Sequence, residues 1–135
     1  MIAARLKASC ATLPTDTLAV KLARYARLYR YTPTGQKTPA WEARYPVFPG
    51  VICVLAGKSQ PVLDRRAQTV LALCREDPEL ARTPYVEISI CLLCELATRG
   101  PFAAIWQRPC DERRLDWLGR PARDRSHGAR ERGQR

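Results

Sequence analysis

Residues 47–55, VFPGVICVL, form an apolar run rich in β-branched side chains and free of charge. A strand of this kind has no polar face to give to water, so it reads as buried, in the manner of strands in parallel sheets. Gly57 then supplies a turn, Ser59 an N-cap, and Pro61 sits in the first turn of a helix. Leu63, Ala67, Val70, Leu71 and Cys74 recur at helical spacing and define its inner face. Asp77-Pro78 closes that face.

Pro14, Thr15 and Asp16 signal an earlier helix, with Thr15 or Asp16 as the expected N-cap. It should run to about Tyr31 and stop before Pro33. Residues 32–46 contain Pro33, Gly35, Pro39 and Pro46 and read as a loop, with Trp41 and Tyr45 as its expected anchors. In residues 85–92, Val86, Ile88, Ile90 and Leu92 alternate with Glu87, Ser89 and Cys91, the pattern of a strand with one buried face. A short helical piece should end at Gly100-Pro101. Residues 103–107 read as a last strand and residues 111–118 as a helical turn carrying Trp117. The order α-β-α-β argues an α/β layer. Residues 14–118 are thus expected to form one α/β domain. Residues 1–13 are expected to be weakly structured, and 119–135 a disordered tail with six arginines against Asp124 and Glu131.

Charge narrows the partner class. The chain has 23 basic and 13 acidic residues, a net charge of +10. Such a field favours nucleic acid or another polyanion. Only four of the basic residues are lysine, and heavy arginine use is also the mark of a GC-rich genome. The first helix, LAVKLARYARLYRY, is where the charge is organised. Leu18, Leu22, Tyr25 and Tyr29 follow one face, while Lys21, Arg24, Arg27 and Arg30 step by three around the other side. Cations interleaved with Tyr25 and Tyr29 suit phosphate backbones and stacked bases. The same pattern also describes an ordinary solvated helix.

No apolar run approaches the roughly 18–20 residues of a membrane span, and Arg5 and Lys7 interrupt the N-terminus where a signal peptide would be apolar. No membrane partner is expected, and a cytoplasmic location is. The six cysteines should then be mostly reduced.

Catalytic motifs fare poorly. Gly57-Lys58-Ser59 lies between strand and helix, but the position of a P-loop's first glycine is Ile52. Cys91-x-x-Cys94 has no second pair to complete a zinc site, so both thiols are expected to be structural and no metal or cofactor is expected. The one histidine, His127, lies in the tail, which argues against nucleophilic triads. Asp64 reads as a first-turn residue favoured by the helix dipole, and Asp111-Glu112 as a solvated face. No paired carboxylates suggest a nuclease metal site.

Four segments together, TLAVKLARYARLYRY, YPVFPGVICVLAG, DRRAQTVLAL and CELATRGPFAAIW, resemble the C-terminal half of the replication-relaxation proteins of actinobacterial plasmids and conjugative elements. The resemblance covers about residues 12–108. It implies an incomplete restriction-endonuclease-like α/β layer, with DNA as partner. In that family a winged-helix region comes first, and an acidic strand E-x-D-x-G-T precedes a helix with a lysine and then a tyrosine. Lys21 and Tyr25 match those helix positions. Residues 3–12, AARLKASCAT, carry no acid, and no winged helix precedes them. The resemblance therefore implies a truncated, non-catalytic member that associates with DNA electrostatically. It also leaves the strand at 47–55 without a neighbour on one side, an exposed edge open to a protein partner that completes the sheet. A residual metal-dependent nuclease is the remaining alternative.

Overall fold

The computed structural model describes residues 4–10 and 14–122, the first of these segments as backbone alone. The elements are β1 (Ala4–Cys10), α1 (Thr15–Arg30), β2 (Gly50–Ala56), α2 (Gln60–Glu76), α3 (Pro78–Ala81), β3 (Ile88–Leu92), α4 (Leu93–Arg99), β4 (Trp106–Arg108) and β5 (Asp111–Leu115), with a 3-10 turn at Ala40–Ala43. They build a mixed α/β fold around an open sheet in the order β1-β2-β3-β4-β5. β1, β2 and β3 run parallel, β4 is antiparallel to β3, and β5 returns beside β4 in a short hairpin.

Parallel neighbours require long crossovers, and α1 and α2 supply them. Both helices cover the same face of the sheet. Leu18, Ala19 and Leu22 of α1 join Leu63, Ala67, Val70, Leu71 and Cys74 of α2 in one buried cluster with Val51, Cys53 and Leu55 of β2 and Ile88, Ile90 and Leu92 of β3. The inner face of α2 is thus the one its periodicity defines. On the opposite face Ile52, Val54 and Cys91 meet Ile105 and Trp106, with Leu96, Ala103 and Trp117 packed around them. β2 is buried on both sides along its length, as an uncharged run requires.

Several expectations need correction. Residues 4–10 form a strand paired to β2 from Ala4↔Gly50 to Cys10↔Ala56, so the N-terminal region is not wholly unstructured. β2 therefore has neighbours on both sides, and β1 is the edge in its place. β3, expected to have one buried face, is covered on both, since the second cluster takes Cys91, which is buried as a structural thiol should be. α1 starts at Thr15 after Pro14, and Asp16 lies in its first turn, where its carboxylate accepts from the Thr17 amide at 2.8 Å. Residues 111–115 form a strand in place of a helical turn. Their charged sequence, DERRL, suits an exposed edge, where charge discourages pairing with other chains.

The domain also continues past Leu118. The Asp116 carboxylate accepts from the amides of Leu118 and Arg120, both at 2.9 Å, and from Arg120 Nε at 3.0 Å. Leu115 bridges to Pro121. The rest of the expected tail, 123–135, lies outside the described residues.

Candidate nucleic-acid interface

An α-helix turns once in 3.6 residues, so positions three apart step about 60° around it. Lys21, Arg24, Arg27 and Arg30 accordingly spread over about half the circumference. Arg24 and Arg27 are exposed and Lys21 is half-buried, and none of the three has an ion-pair partner among the described residues. Arg30 has drifted to the other side, where its guanidinium pairs with Glu79 of α3. The structure thus groups three of the four cations on one face and turns the fourth into an inter-helix tie.

Tyr25 and Tyr29 are half-buried and pack on the main core. They flank the cationic face and do not share its outward aim. Tyr29 is the hub of an aromatic cluster. Its ring lies near-parallel to Trp41, with centroids 5.6 Å apart, and near-parallel to Tyr85 at 6.2 Å. Phe48 meets both Tyr29 and Trp41 edge-on, at 5.1 and 5.5 Å. Trp41 Nε1 donates to the Tyr29 carbonyl at 3.0 Å, which ties the loop to the end of α1. Trp41 is therefore the expected anchor, whereas Tyr45 is 43% exposed and lies outside the aromatic cluster.

A second polar assembly escaped the sequence reading. Arg114 of β5 donates to Glu95 of α4 at 2.6 Å and lies 3.7 Å from Asp64 of α2. Arg99 approaches the same Glu95 oxygen at 3.8 Å. Nearby, Gln68 of α2 donates to buried Gln107 of β4 at 2.7 Å. Asp64 and Gln68 are one helical turn apart, so one face of α2 serves both links. Gln60, Cys94 and Thr98 complete an open cleft of about 350 Å³ over Glu95 and Arg114. With two carboxylates against two guanidiniums the cluster is charge-balanced, and it joins α2, α4 and β5. No group of three metal-ligating side chains occurs among the described residues.

The cysteines divide by environment. Cys53, Cys74 and Cys91 are buried, while Cys94 and Cys110 are exposed. Burial, aided by Asp77 and Cys53, pushes the Cys74 thiol up to about 11. Burial, with Cys53, Glu95 and Cys94 nearby, pushes Cys91 up to about 12. Both stay protonated at neutral pH and behave as small apolar residues. Cys94 departs from the structural role expected of it, since it stands on the outer side of α4. Alkylation of the native protein is expected to modify Cys94 and Cys110, with Cys53, Cys74 and Cys91 reacting only after unfolding. Peptide mass mapping checks this, and fast labelling of Cys91 in the native state would contradict it.

Gly57 and Lys58 are exposed in the turn between β2 and α2. The residues before them belong to the strand, which leaves no phosphate-cradling loop. No helix of the described residues is long and apolar enough to cross a membrane. Comparison with protein-family models, with curated proteins and with solved structures finds no match.

Proposed function

We propose that this chain is a non-catalytic, DNA-associating protein whose α1 face, Lys21, Arg24 and Arg27, takes the phosphate backbone. The observation that carries the reading is the grouping of Lys21, Arg24 and Arg27 on one face of α1 with no carboxylate partner among the described residues. Arg30, Arg99, Arg113, Arg114 and Arg120 are each engaged with a carboxylate. The three cations on the outer face of α1 have none among the described residues, and they stand on one rigid element. Uncompensated charge on a helix is available to phosphates at little cost in ordering. With a net charge of +10, the long-range field favours the same partner.

Membership of the replication-relaxation group, and with it a plasmid or mobile-element setting and a restriction-endonuclease-like layer, forms part of this proposal. It rests on the resemblance of the four segments. The strand that precedes α1 is present in β1, but its sequence, ARLKASC, has no carboxylate. Hydrolysis of a phosphodiester by a metal mechanism needs acids to hold the ion. Without such acids Lys21 is equipped to contact phosphate and not to assemble an attack.

Two measurements test the reading. Gel shifts across a salt series should show affinity for duplex DNA falling steeply and without sequence preference. A protein partner docked on the sheet edge at β1 would instead resist salt. Supercoiled plasmid incubated with Mg²⁺ or Mn²⁺ should remain intact. Nicking that needs the metal and disappears in Lys21→Ala would restore the nuclease alternative.

A further inference from the structure

The aromatic cluster at the end of α1 reaches the surface. Tyr85 is 74% exposed although its ring lies near-parallel to Tyr29, with an interplanar angle of 23°. One side of that ring is supported and the rest is open to water. Tyr29 in turn is held by Trp41 and Phe48, so the support beneath Tyr85 is fixed by packing. Lys21, Tyr25 and Tyr29 are each four residues apart and follow one edge of the helix, which leads the cationic face toward the aromatic end. Charge around this end also favours an anion. Glu79 is neutralised by Arg30, exposed Arg82 and Glu87 on either side of Tyr85 balance each other, and in residues 32–49 Glu42 is the single acid against Lys37 and Arg44.

A supported, outward aromatic face at the end of the helix edge that carries Lys21 matches unpaired nucleotides. A base can stack on the ring while its phosphates follow the positive surface, and ring preorganisation keeps the ordering cost low. Bases in a duplex are already stacked on one another and cannot present a face to Tyr85. We propose that this end of α1 binds single-stranded DNA, with Tyr85 as the stacking platform and Lys21, Arg24 and Arg27 as the phosphate contacts. The inference rests on the phosphate-binding role of α1 and names the form of DNA that role serves.

The test uses the full chain with a fluorescein-labelled oligothymidylate of about ten nucleotides, near the middle of known single-strand site sizes, and a duplex of equal length at the same salt. Fluorescence anisotropy should show tighter binding to the single strand. Tyr85→Ala should lose roughly tenfold for the single strand, the scale of one stacked base, and leave duplex binding unchanged. Tyr85→Trp should restore or exceed the original affinity. An unchanged thermal transition is expected for both variants, since the side chain is exposed. Salt-sensitive binding that is equal for the two DNA forms and indifferent to Tyr85→Ala would overturn the stacking site and leave the phosphate reading standing. Failure of both DNA forms to bind would remove the two proposals together.

Discussion

Replacing Lys21, Arg24 and Arg27 together by alanine is expected to abolish most of the salt dependence of DNA binding. Each phosphate neutralised on a duplex contributes about −0.9 to the slope of log affinity against log salt. Loss of three contacts should flatten that slope by about 3. Between about 50 mM and 200 mM salt, the original protein should therefore lose roughly 40-fold more affinity than the variant. The fold should survive, because these side chains face outward while Leu18, Leu22 and Ala26 hold α1 to the core. Arg30→Ala provides the contrast. It removes a cation of the same sequence stripe, but one already paired with Glu79, so its effect should fall on stability and leave the slope nearly unchanged. The pair is partly exposed, and its loss should cost no more than about 1 kcal/mol. A slope that falls as much in Arg30→Ala as in each outer-face single variant would mean that net charge, and not the α1 face, drives binding.

That contrast also shows where sequence reading stops. Step-by-three spacing identifies four cations on one helix, yet it cannot say which of them the fold will consume. The answer depends on α3, whose Glu79 is far along the chain from Arg30. The inner face of α2, in contrast, was legible residue by residue. Leu63, Ala67, Val70, Leu71 and Cys74 encode their burial in local spacing, and no distant partner changes it. β2 was legible for a similar reason from Gly50 on, where its uncharged residues are buried on both faces, but Val47 at the head of the same run is 69% exposed and lies outside the strand.

β1 was overlooked although its signal is present. In ARLKASC, Ala4, Leu6, Ala8 and Cys10 alternate with Arg5, Lys7 and Ser9, a period of two carried by small residues. Alanine and cysteine give the alternation little hydrophobic contrast, and two cations dominate its composition. β5 was missed for another reason. Its residues, DERRL, have no strand propensity of their own, and pairing with β4 imposes the conformation. The aromatic cluster joins Tyr29, Trp41, Phe48 and Tyr85 from a helix, a loop and the approach to β3. No local pattern links them, although a tyrosine and a tryptophan flanked by prolines and glycine mark the loop as more than a spacer.

The Asp64–Arg114–Glu95 assembly is the case in which structure adds most to the expected energetics. Arg114→Ala should destabilise the domain by about 2–3 kcal/mol, somewhat below the 3–5 kcal/mol of a fully buried pair, because the Arg114 side chain is 39% exposed. The cost arises from what remains. Glu95, with a side chain only 10% exposed, would lose its 2.6 Å partner, and Arg99 at 3.8 Å is too distant for a full replacement. Asp64 Oδ1, already buried without a hydrogen bond, would lose the guanidinium 3.7 Å away. Replacing both partners should behave differently. In Glu95→Leu with Arg114→Met no buried carboxylate is stranded at the α4–β5 contact, and apolar packing takes over from the ion pair, an exchange that is often neutral in other proteins. Denaturant unfolding should therefore place the double variant closer to the original protein than Arg114→Ala alone. If the two losses simply add, the pair is not coupled, and α4 is held instead by the second apolar cluster, where Leu96 packs with Trp106 and Trp117, whose rings meet at 5.3 Å.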